Sequence, residues 1–237
     1  MRYRRTFLSI FWLLLPLLAL VSAAVFLSLK FSVLDDTSLG NYLIKLLIGL
    51  MFWQLMADSW LEPMRFARRI KLILISYPLD KNIILMAGNL SAVFNFIIKI
   101  PILLLAIVYF DQINSFNLLM IPFLMLLTMS LGTSLSCFMT PLSLGLLDIR
   151  YSAPLIQYFF LLATPIFYTQ FESGILALLN FGNPFTYIIP MYRDMILGVD
   201  ININLFFIVS ALILSLLTIS LKYYSSKIGL AIAYIGK

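Results

Sequence analysis

Long apolar runs separated by short polar interruptions set the pattern of this chain. Six runs approach or exceed the ~20 residues that a bilayer core requires: Phe7–Leu29, Tyr42–Trp60, Ile83–Tyr109, Leu118–Thr140, Ala153–Thr169 and Ile203–Tyr223. The pattern predicts an all-α integral membrane protein with six transmembrane helices in one membrane domain covering residues 1–237. The third run contains Pro101, which predicts a kink or a tilt, because proline removes a helix hydrogen bond. There is no internal repeat and no low-complexity tract.

The longest charged interruption is Leu61–Asn82. It carries Arg65, Arg68, Arg69, Lys71 and Lys81 against Glu62 and Asp80. Short loops rich in Lys and Arg stay in the cytoplasm. Its middle reads as an imperfect amphipathic helix, with Met64, Ile70, Leu72, Leu74 and Ile75 apolar and the arginines and Lys71 basic. Tyr77-Pro78 ends it, since the residue before proline is pushed out of the α region. Two readings stand here: a basic surface on lipid headgroups, or a docking helix for a cytoplasmic motor domain through Arg65, Arg68 and Arg69.

The segment Gln170–Asp200 is unusual for an outer loop. Ile175–Leu179 and Tyr187–Ile189 are apolar but too short to span, and Phe181-Gly182-Asn183-Pro184 lies between them. Glycine suits a helix end, asparagine an N-cap and proline the first helical position. The spacing predicts two short helices with a sharp break. They form a re-entrant hairpin in the outer leaflet or, alternatively, a pair lying flat on the surface.

Composition agrees with the pattern. Hydrophobic residues make up 62% of the chain and charged ones 11%, under half the usual share of a soluble domain; the mean hydropathy is +1.04. The net charge of +6 is a topology signal rather than a nucleic-acid footprint. Both termini placed inside put Arg2, Arg4, Arg5, the Leu61–Asn82 cations, Arg150, Lys222, Lys227 and Lys237 in the cytoplasm. Only Lys30, Lys45 and Arg193 then fall on or near the outer side. Arg2, Arg4 and Arg5 resemble a signal-peptide start, but Phe7–Leu29 is too long for one and reads as a retained span. The single cysteine, Cys137, excludes an internal disulfide, and the absence of histidine removes the commonest general base and metal ligand.

No G-x-x-x-x-G-K-S/T phosphate loop occurs, and the acids are scattered without metal-ligand spacing. The chain is therefore expected to be no enzyme and to hold no metal or cofactor of its own. Lys99 lies about 15 Å inside its span at ~1.5 Å per residue. A cation at that depth faces an interior or a wet cavity, contacting a phosphate or sugar in a translocation path, or else snorkels along the kink at Pro101. Tyr158, Phe159, Phe167, Tyr168 and Tyr187 either pack and anchor at the interface or line a path along which carbohydrate slides. Arg2, Arg4 and Arg5 either set topology or capture a lipid pyrophosphate, since arginine matches phosphate oxygens bidentately.

The opening Arg2-Tyr3-Arg4-Arg5-Thr6-Phe7-Leu8-Ser9-Ile10-Phe11-Trp12, followed by Pro16, resembles the start of the membrane subunits of polysaccharide ATP-binding-cassette exporters. Ser76-Tyr77-Pro78-Leu79 resembles the aromatic-Pro that closes that family's second cytoplasmic segment. Asp148-Ile149-Arg150-Tyr151 resembles its Asn-x-Arg-Tyr loop, and Asn180 to Pro184 with Arg193 and Gly198 its Asn-Pro segment before the sixth span. Ser9 stands for the usual Gly and Ser152-Ala153 for the usual Arg-Asp. The resemblance implies a homodimer in a bacterial inner membrane, paired with two copies of an ATPase subunit that binds ATP and Mg. It also implies lipid-linked polysaccharide (O-antigen, capsule or teichoic acid) as cargo, with membrane lipids as surroundings. The coupling segment would include Tyr77, Pro78 and Arg150, and the outer hairpin would close the channel. Export of a drug or lipid by the same architecture, a membrane enzyme acting on lipid-linked sugars, and a passive channel are the alternatives.

Overall fold

The computed structural model describes residues 9–30, 39–77, 79–110, 117, 119–167, 174, 177 and 183–235. Among them every regular element is a helix: α1 (Ser9–Lys30), α2 (Leu39–Arg69), α3 (Lys71–Ser76), α4 (Asn82–Ile97), α5 (Ile100–Tyr109), α6 (Met120–Gly145), α7 (Leu147–Ala163), α8 (Phe185–Ile196) and α9 (Ile203–Ile235). Helices meet the demand of an apolar solvent, because each satisfies its backbone polar groups internally. Four stretches are long and apolar enough to cross a membrane: Gly40–Arg69, Asn82–Tyr109, Met120–Gly145 and Ile203–Tyr234. These apolar helices mark a membrane protein. The side chains of α1 described as apolar helix cover Leu14–Phe26, and α7 is 17 residues long.

Several helices outrun the apolar runs that predict them. α2 continues through residues 61–69, so the first part of the basic interruption is helix rather than loop. Helix propensity there is good, and the only breaker is Pro63. α3 stops at Ser76, with Tyr77 extended at φ −130° and ψ 141°, as a residue before proline requires. α9 continues to Ile235. The third apolar run is broken in two. The Lys99 amide bonds back to the Phe96 carbonyl at 3.0 Å, a tight turn, and Pro101 has no N–H to offer the Ile97 carbonyl. Local caps fix other starts: Asp80 Oδ1 accepts the Asn82 amide at 3.0 Å, and Asn202 Oδ1 accepts the Leu205 amide at 3.1 Å.

The chain divides into two compact units. The first comprises Met1–Trp53, Phe94–Ile121 and Leu162–Ile201. Its largely aliphatic core holds an aromatic group: Phe52 meets Phe96 at 5.3 Å and Tyr192 at 5.1 Å between ring centroids, and Trp53 meets Phe185 at 5.1 Å. These tilted and edge-on arrangements suit ring quadrupoles. α8 begins where the Asn-Pro pair predicts, one residue late. Pro184 occupies the cap position, and Asn183 Oδ1 accepts the Phe185 amide at 3.0 Å. The same asparagine, 2% exposed, donates from Nδ2 to Thr164 Oγ1 at 2.9 Å. α8 ends on Gly198 at φ 69°, with the Val199 amide bonded to the Asp194 carbonyl at 2.9 Å. That is a Schellman closure, and it needs the left-handed conformation glycine supplies. The first half of the predicted hairpin lies almost wholly outside the described residues.

The second unit comprises Gln54–Val93, Pro122–Leu161 and Asn202–Lys237. One buried cluster joins Ala67, Leu74, Ile84, Leu85, Cys137, Tyr224 and Ile228. The Tyr224 hydroxyl donates to the Lys81 carbonyl at 2.7 Å, closing the turn before α4 onto α9. Close helix approach is made by glycines. Gly88 leaves no room for a Cβ against the Pro63 ring and backbone, and a Cβ on Gly132 would stand 2.5 Å from the Met56 carbonyl oxygen.

Candidate site at the end of the second helix

The end of α2 collects charge. Arg68 and Arg69 fall in its last turn, where the helix dipole favours cations. Glu62 sits about two turns earlier, its side chain only 7% exposed. Its Oε1 accepts from Arg65 Nη1 at 2.7 Å and its Oε2 from Arg69 Nη2 at 3.4 Å. One buried carboxylate therefore clamps two guanidinium groups along one helix face.

Arg68 stands apart from that clamp. Its Nη1 is enclosed and has no hydrogen-bond partner among the described residues. The positive charges of Arg150 and Arg65 both act on it. Arg150 arrives from the first turn of α7, which restarts after the single residue Leu146 beyond the end of α6. Its guanidinium carbon lies 5.5 Å from the centroid of the neighbouring Tyr151 ring, within reach of a cation–π attraction. Thus the charge of Arg150, distant in sequence, acts on the Arg65–Arg68 end of α2 within the second unit.

α3 follows directly, after a bend at Ile70 with φ −99° and ψ 13°. Leu74 is its buried anchor, packed in the cluster with Tyr224 and Ile228. Leu72 is 76% exposed, and Ile73, Ile75 and Tyr77 are exposed beside it. The sequence pattern treats Leu72, Leu74 and Ile75 as one apolar face. The bend at Ile70 instead re-aims the short helix, so that Leu74 alone of the three is buried.

The remaining residues singled out by sequence are dispersed. Lys99 is 4% exposed and marks the α4–α5 break. In the first unit, Phe167 offers its carbonyl to the Tyr42 hydroxyl at 3.4 Å, and Tyr187 lies half-buried on α8. In the second unit, Tyr158 and Phe159 are exposed on α7. Arg2, Arg4, Arg5, Pro78 and Tyr168 lie outside the described residues.

The sequence reading names Arg193 as an outer cation and within the Asn-Pro segment, but not the bonds it makes. Its Nε donates to the Lys45 carbonyl at 2.8 Å, its Nη1 to Pro165 at 3.3 Å and its Nη2 to Ile166 at 2.9 Å. Burial pushes this guanidinium down to about 10, which leaves it charged at neutral pH, held by carbonyl oxygens. An arginine inside a largely apolar segment is the signal that could have found it. The Glu62, Arg65 and Arg69 spacing of three and seven is equally readable as a one-face clamp. No protein-family model matches the chain, and no curated protein matches it significantly.

Proposed function

We propose that this chain is the transmembrane subunit of an ATP-driven exporter that moves a lipid-linked polysaccharide outward across a bacterial inner membrane. It works as a homodimer with two copies of a separate ATPase. In this reading α1 and α7 join the four long apolar helices as spans, making six. Both termini and α3 lie on the cytoplasmic side, and residues 170–200 form a re-entrant hairpin on the outer side.

The observation that carries the reading is α3. It is a short helix that buries one leucine and presents Leu72, Ile73 and Ile75 outward, directly after a basic helix end. Exposed apolar side chains next to charge mark an interaction surface, and the sequence carries no nucleotide-binding loop of its own. The motifs at Tyr77-Pro78 and at Arg150-Tyr151 that resemble the exporter family flank this same region. ATP binding in the partner displaces α3. Leu74 passes the displacement to the core it shares with α9, and the bend at Ile70 passes it to α2, shifting the population of transport states.

Co-purification tests this. The tagged chain, expressed with its neighbouring genes, brings down a stoichiometric ATPase, and Leu72→Glu with Ile75→Glu abolishes the association while the chain stays folded. Vesicles holding the complex then move polymer only with ATP. Absence of any ATPase under every condition would sink the proposal and bring the enzyme and channel readings forward.

A further inference from the structure

α9 is longer than a bilayer needs. Its 33 residues extend about 50 Å at ~1.5 Å per residue, against about 30 Å of hydrocarbon. Even a tilt of about 40° leaves it about 8 Å too long. The excess lies at its C-terminal end. The Tyr224 hydroxyl reaches the Lys81 carbonyl at 2.7 Å, level with the start of the apolar stretch Asn82–Tyr109. Tyr234 stands about 15 Å further along the axis, whereas headgroups add only about 5–7 Å on each side. Membrane lipid therefore does not cover the last turns of α9.

Those turns are held in place. Tyr224 and Ile228 lie in the buried cluster with Leu74 of α3, and Ile232 packs against it. A Cβ on Gly145 would stand 3.9 Å from Tyr234 Cδ1, so the tyrosine ring lies near the end of α6. A different face of α9 is open. Lys227, Leu230 and Tyr234, spaced by three and four residues on one side of the helix, are exposed, Leu230 at 66% and Tyr234 at 74%. An apolar pair on a braced helix, out of reach of lipid, marks an interaction surface, and the Leu74 cluster makes it continuous with α3. We propose that Leu230 and Tyr234, with Lys227 beside them, form a further docking surface for the ATPase subunit; this rests on the exporter reading. The tyrosine offers a ring and a hydroxyl. The charged residues of α9, Lys222 and Lys227, are both exposed cations, so the partner presents an apolar pocket rimmed by carboxylates.

The full chain with an N-terminal tag is expressed with its neighbouring genes, and the ATPase retained in detergent is quantified. Leu230→Ala with Tyr234→Ala weakens retention about tenfold and leaves the melting temperature of the chain unchanged, both side chains being exposed. Lys227→Glu weakens it about threefold, and added salt narrows the difference. Tyr109→Ala, 82% exposed and on the outer side in this reading, leaves retention as it was. Benzoylphenylalanine placed at position 234 and photoactivated joins the chain to the ATPase. If Leu72→Glu with Ile75→Glu releases the ATPase while the Leu230 and Tyr234 variant retains it in full, the inference falls and the exporter reading stands. The same holds if the crosslink joins two copies of this chain, joins lipid alone or does not form. If the native chain brings down no ATPase, both fall.

Discussion

Arg193 lies across the backbone of Gly49: a Cβ at residue 49 would stand 2.6 Å from Arg193 Nη2 and 3.2 Å from its Cζ. The side chain is long and could swing away, but doing so forfeits its bonds to the Lys45, Pro165 and Ile166 carbonyls. Gly49→Ala is therefore expected to destabilise the protein by about 2–3 kcal/mol, seen as a lower melting temperature in detergent. In an Arg193→Ala background the same change costs almost nothing, since the two residues couple. Equal losses in both backgrounds would show that residue 49 meets something else.

Asn183 performs two tasks at once, capping the Phe185 amide and donating to Thr164. Asn183→Asp keeps the acceptor and loses the donor, while Asn183→Ala loses both. The expected order of stability is native, then Asp, then Ala, with a loss of about 2 kcal/mol for Ala. A melt of the three proteins checks it; an aspartate variant worse than alanine would mean that burial of its charge dominates.

At Gly88 the obstacle is backbone rather than a flexible tip, since a Cβ would stand 2.6 Å from the Pro63 Cα. Gly88→Ala must push α2 and α4 apart, at a cost of about 3 kcal/mol. Pro63→Ala on the same chain recovers only part of this, because the Pro63 backbone remains in the way. Yield of folded protein on size exclusion, together with the melting temperature, decides the outcome.

On α3, Leu74 and Leu72 are two residues apart and opposite in consequence. Leu74→Ala empties a buried position and costs about 2–4 kcal/mol, whereas Leu72→Ala changes stability by less than about 0.5 kcal/mol. If the partner reading is right, Leu72→Ala weakens capture of the ATPase and Leu74→Ala does so only through unfolding. Paired melting and pull-down measurements separate the two.

The sequence made the membrane class legible through run length alone, and it located the breaks at Pro101 and at Tyr77-Pro78 and the start of α8 after Asn183-Pro184, because proline chemistry acts on its immediate neighbours. It did not make legible where helices outrun the apolar pattern. Residues 61–69 are polar on one face yet remain helical, supported by the Glu62 clamp and by contacts with Ile84 and Tyr224 supplied from elsewhere. The influence of Arg150 on Arg68 was hidden for the same reason, since it depends on how α7 restarts after Leu146. Arg193 was read by its charge when its role is set by three carbonyl groups, and backbone acceptors leave no mark in a sequence.

The guanidinium of Arg193 joins residue 45 to residues 165 and 166 and arrives from a helix made after both. During synthesis from the N-terminus, Gly49 and the carbonyls beside it must wait until residue 193 has been made. A chain stopped at α7 has no residue to fill that gap, so the first unit is finished late. Damage to α8 would then surface as a failure of the earliest helices to settle.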